Sequence, residues 1–138
     1  MGSTAYLEGM RGMRSIARTV YLVVAWAFVA GLAGQVFLAG LGVFDGAAAF
    51  MTHRDVGYAL EIVPVLLLVI GLVAGLPRRM AILAAVIFGL FILQSVFVAM
   101  RVSSPAVAAL HPVNGFLIAL LAIVLARDAW LMREAGAG

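Results

Sequence analysis

Four stretches of the chain are apolar almost without interruption: Thr19 to about Phe44, about Val56 to Leu76, Met80 to Met100, and about Val113 to Ala126. The first three each reach the roughly 20 residues that a helix needs to cross about 30 Å of hydrocarbon. The fourth reaches that length by running on to Trp130, whose indole then stands at the membrane–water interface. The runs are continuous and do not alternate, which excludes a closed β-barrel and leaves helices as the spanning structure. The pattern predicts an all-α, integral membrane, up-down four-helix bundle over residues 19–130, with tails at 1–18 and 131–138.

The polar punctuation agrees with this division. Leu76-Pro77-Arg78-Arg79 reads as a tight turn that forces the second and third helices into an antiparallel hairpin. Pro112 falls at the start of the fourth helix, where its missing N–H costs little. In the first tail, Met10, Met13 and Ile16 interleave with Arg11, Arg14 and Arg18, a pattern open to either a short interfacial helix or a flexible tail.

Composition sharpens the class. In 138 residues, 66% are hydrophobic and only 11% charged, too little polar surface to cover a soluble domain of this size. The absence of cysteine excludes disulfides, thiolate-ligated metals and thiol catalysis. All nine basic residues are arginines placed at helix ends, away from aromatic stripes, so the net charge of +3 reads as a topology signal and not as a nucleic-acid surface. Arg11, Arg14, Arg18, Arg78, Arg79, Arg127 and Arg133 fall on one side, and only Arg54 and Arg101 on the other. The positive-inside rule then puts both termini in the cytoplasm and the chain in the cytoplasmic membrane, with lipid as its solvent.

The two halves look like copies. Gln35-Val36-Phe37 is followed 18 residues after its glutamine by His53 and then by Gly57; Gln94-Ser95-Val96-Phe97 is followed 17 residues on by His111 and then by Gly115. The bundle is therefore expected to consist of two repeated helix hairpins, in each of which an outer loop delivers one histidine to the start of the second helix.

His53 and His111 are the only histidines. On helices two and four of an up-down bundle they can face each other across the core at equal depth, the arrangement that holds a haem iron between two axial ligands. A glycine at i+4 lies on the same helix face, so Gly57 and Gly115 are expected to leave room for a flat macrocycle. Arg54 and Arg101, at the same level, suit carboxylates and are candidates for the haem propionates; the bland reading makes them interfacial helix ends. Gln35 and Gln94 need partners in hydrocarbon and are candidates for bonding a histidine, a propionate or a neighbouring helix. Glu61 is the one carboxylate well inside a span, open to a proton relay or to simple hydrogen bonding near Pro64.

These residues together resemble the haem A synthase family, in which two four-helix bundles each carry a histidine pair on their second and fourth helices. The resemblance rests on Gln35-Val36-x-Leu38, His53-Arg54, Gln94 and Leu110-His111-x-x-Asn114-Gly115, over about residues 30 to 128. It implies a single bundle holding a b-type haem on His53 and His111 toward the extracytoplasmic side. It does not imply the enzymatic activity: the family's glutamate three residues before the first histidine is Phe50 here, and these 138 residues are expected to hold one bundle. Small stand-alone bacterial membrane proteins of unassigned function are similar.

The expected function is thus a cytochrome b-like, haem-binding membrane protein used for electron transfer or for haem sensing. A quinone, an outer-face redox protein or a second copy of the chain is expected as its partner. The alternatives are a small transporter or exporter subunit that uses Glu61, and a cofactor-free structural protein whose Gly31, Gly34, Gly71 and Gly75 pack helices.

Overall fold

The computed structural model describes residues 2–135, with side chains described for 6–134. Residues 1 and 136–138, the extremes of the two predicted tails, lie outside the described residues. Six helices occur in chain order: α1 Gly2–Phe44, α2 Ala47–Glu61, α3 Val63–Val73, α4 Arg78–Ala99, α5 Pro105–Ala108 and α6 Leu110–Ala135. They make four spans long and apolar enough to cross a membrane, with α2 and α3 forming the second and α5 and α6 the fourth. The protein is an all-α four-helix membrane bundle.

Each span packs against its neighbours in a ring: α1 against α2, α3 and α6, and α4 against α3 and α6. Spans two and four therefore lie on a diagonal. The core is thin, as expected where lipid covers the outside. Tyr21, Phe28, Leu67, Met80, Ile87, Ile118 and Leu125 fill it, with alanines Ala25, Ala84, Ala122 and Ala126 where helices approach closely.

Three boundaries differ from the sequence pattern. First, α1 runs unbroken through position 18, so the residues carrying Arg11, Arg14 and Arg18 are helical and continue the first span. At 1.5 Å per residue its 43 residues reach about 64 Å, roughly twice the hydrocarbon thickness. Second, the second span begins at Ala47 and not near Val56. Only Asp45 and Gly46 separate α1 from α2, with Gly46 at φ 121°, which glycine alone adopts without strain. Ala47-Ala48-Ala49 are strong helix formers, and the Phe50 ring lies directly on Gly42, closing the corner. The expected outer loop before His53 is therefore helix. Third, the second span breaks between Glu61 and Val63, because Pro64 has no N–H for the Leu60 carbonyl and its ring crowds that oxygen.

The predicted hairpin turn is present. α3 ends in a Schellman closure: Leu76 N–H donates to Gly71 O at 2.9 Å and Gly75 N–H to Leu72 O at 3.2 Å, with Gly75 at φ 65°. Arg18 Nε donates to Ala74 O and ties α1 to this end. Gly31 receives the Leu60 side chain, Gly71 the Tyr21 ring and Gly75 the Arg14 side chain, so three of the four expected packing glycines make such contacts.

Candidate functional site

His53 is the seventh residue of α2 and His111 the second of α6, yet their rings meet. Their centroids are 6.1 Å apart with the planes at 67°. The early start of α2 thus leaves the equal depth of the two histidines intact, and the diagonal placement of their spans turns them toward each other.

Each ring is held by the helix that precedes it. His53 Nδ1 lies 3.0 Å from the main-chain oxygen of Gln35. A carbonyl only accepts, so Nδ1 carries the proton and Nε2 keeps its lone pair. His111 Nε2 lies 3.4 Å from Gln94 Nε2, a contact at the long end of the hydrogen-bonding range. An amide nitrogen only donates, so here too Nε2 is the unprotonated nitrogen; Nδ1 of His111 is buried without a partner.

The two glutamines answer the question their burial raised, in different ways. The Gln94 amide oxygen accepts from Asn114 Nδ2 at 2.5 Å, and Asn114 also donates to Leu90 O at 2.9 Å. Gln35 engages His53 through its backbone, while its own amide nitrogen and oxygen are both buried and unpartnered. The room expected beside the glycines is taken up by these amides. A Cβ at Gly57 would lie 3.6 Å from Gln35 Nε2, and one at Gly115 would lie 3.2 Å from Gln94 Nε2. The glycines let the glutamine side chains lie flat on the helix opposite.

The arginines turn elsewhere. Arg54 pairs with the adjacent Asp55 at 2.8 Å, both exposed, and Arg101 Nη1 donates to Val98 O. Arg101 lies just past the end of α4, whereas Arg54 stands in the middle of α2. Glu61, half-buried at the break between α2 and α3, has no hydrogen bond or ion pair among the described residues. Sequence reasoning left out Asn114 as a site residue. It is buried to 6% exposure and is the chain's only asparagine. The signal was available, since position 114 is where the second half of the repeat has an amide and the first has Val56.

Among the described residues no group of three His, Cys, Asp or Glu side chains could hold a metal ion by itself. The histidine pair is instead suited to two axial positions. Two metal–imidazole bonds of about 2 Å, with the ring radius added at each end, separate the centroids by roughly 6 Å, which is the spacing found. Among the described residues, three of the five buried side-chain polar atoms without a partner belong to Gln35 and His111. Such a cluster marks a place for a polar ligand group, and it lies at the same end of the bundle as the histidine pair. An open apolar groove of about 590 Å³ lies at the other end, between Gly12, Ile16 and Val20 of α1 and Val69 and Val73 of α3, away from the histidines.

Residues 35–100 match DUF6220, a family of unknown function. Over that stretch the chain is similar to DUF6220. The match opens on Gln35, takes in His53, Gly57, Glu61 and Gln94, and stops before His111 and Asn114. No curated protein and no solved structure matches the chain. The comparisons thus carry no link to the haem A synthases, and the resemblance stands on the quoted residues alone.

Proposed function

We propose that this chain is a membrane protein that binds haem b between His53 and His111 and serves in one-electron transfer or haem sensing. The observation that carries the reading is the His53–His111 pair: two facing imidazoles 6.1 Å apart, with His53 held through Nδ1 so that Nε2 is free to ligate. Gln35 O acts as the orienting group for His53, the usual role of a backbone carbonyl behind a ligating imidazole. His111 becomes available by giving up its long contact to Gln94. When bound, haem b supplies a one-electron carrier, and two protein ligands leave no open position for oxygen chemistry. The arginine bias puts both termini in the cytoplasm and the histidines toward the extracytoplasmic side of the cytoplasmic membrane. A haem at one face needs a second redox group; a quinone, an outer-face redox protein or a second copy of the chain would serve.

The test is the visible spectrum of the detergent-purified protein, oxidised and dithionite-reduced, with a pyridine haemochrome assay. One low-spin b-type haem per chain is expected, lost in His53→Ala and in His111→Ala. An unchanged spectrum in the double variant would overturn the ligand assignment, and a colourless protein that takes up no added haem would overturn the reading itself. One observation favours a second reading: Glu61 stands half-buried at a helix break inside a span, as ion-coupling residues of transporters do. A transport function would be lost in Glu61→Gln while His53→Ala retained it.

A further inference from the structure

The two hairpins place the same side chains at the same level but complete them differently. In the second, the Gln94 amide is closed on the protein, its oxygen bonded to Asn114 and its nitrogen against His111, with Gly115 beneath it. In the first, the Gln35 amide lies over Gly57 in the same way, yet both of its polar atoms are buried and unpaired. Two changes account for the difference: His53 bonds the main-chain oxygen of Gln35 where His111 meets the Gln94 side chain, and the residue that closes the clasp is replaced. Asn114 follows His111 by three residues, and three residues after His53 stands Val56, which has no donor. Asn114 also donates to Leu90 O, four residues before Gln94; the matching carbonyl in the first hairpin, that of Gly31, receives no side-chain bond among the described residues. The glutamine, histidine and glycine recur in both halves, and the residue that closes the clasp on the glutamine oxygen does not.

A primary amide left open in hydrocarbon is costly, and it presents a donor and an acceptor side by side. The complementary group is a neutral carboxyl: its C=O accepts from Gln35 Nε2 and its O–H donates to Gln35 Oε1. An ionised carboxylate would require a nearby cation, and the two arginines at this end are engaged with Asp55 and the Val98 carbonyl.

We propose that Gln35 is the open half of a duplicated clasp and binds a neutral carboxyl group of the bound macrocycle, turning that edge toward the first hairpin, while Gln94–Asn114 is the closed, structural copy. This rests on the haem reading above. It directs the carboxyl edge to Gln35 in place of the outward arginines.

The experiment titrates the full-length haem-free protein with haem b and with haem b dimethyl ester, followed by absorbance. Wild type, Gln35→Leu and Val56→Asn are compared, and the melting temperature of each haem-free protein is measured alongside. The ester keeps the acceptor and loses the donor. Wild type is expected to prefer the acid by about tenfold or more, the scale for leaving one buried polar group unpaired. Gln35→Leu and Val56→Asn should abolish the preference, the first by removing the amide and the second by closing the clasp. Both should raise the melting temperature of the haem-free protein. Equal binding of acid and ester by wild type, or a preference that survives Gln35→Leu, overturns the proposal and leaves the haem reading standing. Failure of wild type to take up either compound overturns the haem reading, and this proposal with it. If Val56→Asn does not fold, Gln35→Leu alone decides.

Discussion

Replacing Gln94 and Gln35 by leucine, one at a time, should change the stability of the haem-free bundle in opposite directions. Leucine is close to glutamine in size, so the comparison isolates the amide. Gln94→Leu removes the acceptor of the Asn114 bond at 2.5 Å and the 3.4 Å contact to His111. Side-chain hydrogen bonds inside membrane proteins contribute about 0.6 kcal/mol on average and up to about 1.7. Asn114 keeps its bond to Leu90 O at 2.9 Å while the His111 ring loses its one contact, and the expected loss is about 1 kcal/mol or more. Gln35→Leu removes a nitrogen and an oxygen that are buried and unpaired. Leaving an amide in that condition costs about 1–3 kcal/mol in proteins, so the substitution should stabilise by about 1 kcal/mol or more. The two variants should therefore differ by about 2 kcal/mol, a factor of roughly 30 in the unfolding equilibrium. Equilibrium unfolding by SDS titration, read by circular dichroism on haem-free protein in mixed micelles, resolves that gap. Equal destabilisation by both substitutions would refute the claim that one clasp is closed and the other open.

Four further outcomes follow from the structure. Gly57→Ala should stabilise by about 0.5–1 kcal/mol, the usual gain in a helix interior, because its Cβ meets Gln35 Nε2 at an ordinary 3.6 Å. Gly115→Ala should show no such gain in the same titration, because a Cβ 3.2 Å from Gln94 Nε2 pushes that amide off Asn114 and His111. Gly75→Ala should cost about 1–2 kcal/mol, since φ 65° is the left-handed region that a Cβ disfavours, and thermal melting in detergent will register it. Glu61→Gln should leave the reduced low-spin spectrum unchanged, because Glu61 lies two turns of α2 from His53, about 12 Å along the axis; a shifted α-band would show that the carboxylate touches the site.

The repeat shows how far a one-dimensional pattern carries. Gln35, His53 and Gly57, with their counterparts Gln94, His111 and Gly115, stand out because they recur at matching spacing in the two halves, and the structure gathers them at one end of the bundle. What each does there was not legible. Room for a macrocycle was expected over the glycines, and glutamine amides lie there instead. Arg54 and Arg101 turn to Asp55 and to the Val98 carbonyl, since an exposed guanidinium finds its nearest acceptor locally. Asn114 was visible only as part of a motif; its weight comes from joining Leu90 and Gln94 on another helix.

By itself the sequence determined the class, the number of spans, the Pro77 hairpin and the pair of histidines, because these depend on run length, on proline and glycine chemistry, and on which polar groups hydrocarbon tolerates. The tertiary structure decided where α2 begins, the continuity of α1 past Arg18, the break above Pro64, and which of two equivalent amides is left open. Those depend on partners far apart in the chain: Phe50 on Gly42, Arg18 on Ala74, and Asn114 on Gln94. A buried amide is satisfied or stranded by what the opposite helix presents, and no local pattern carries that information.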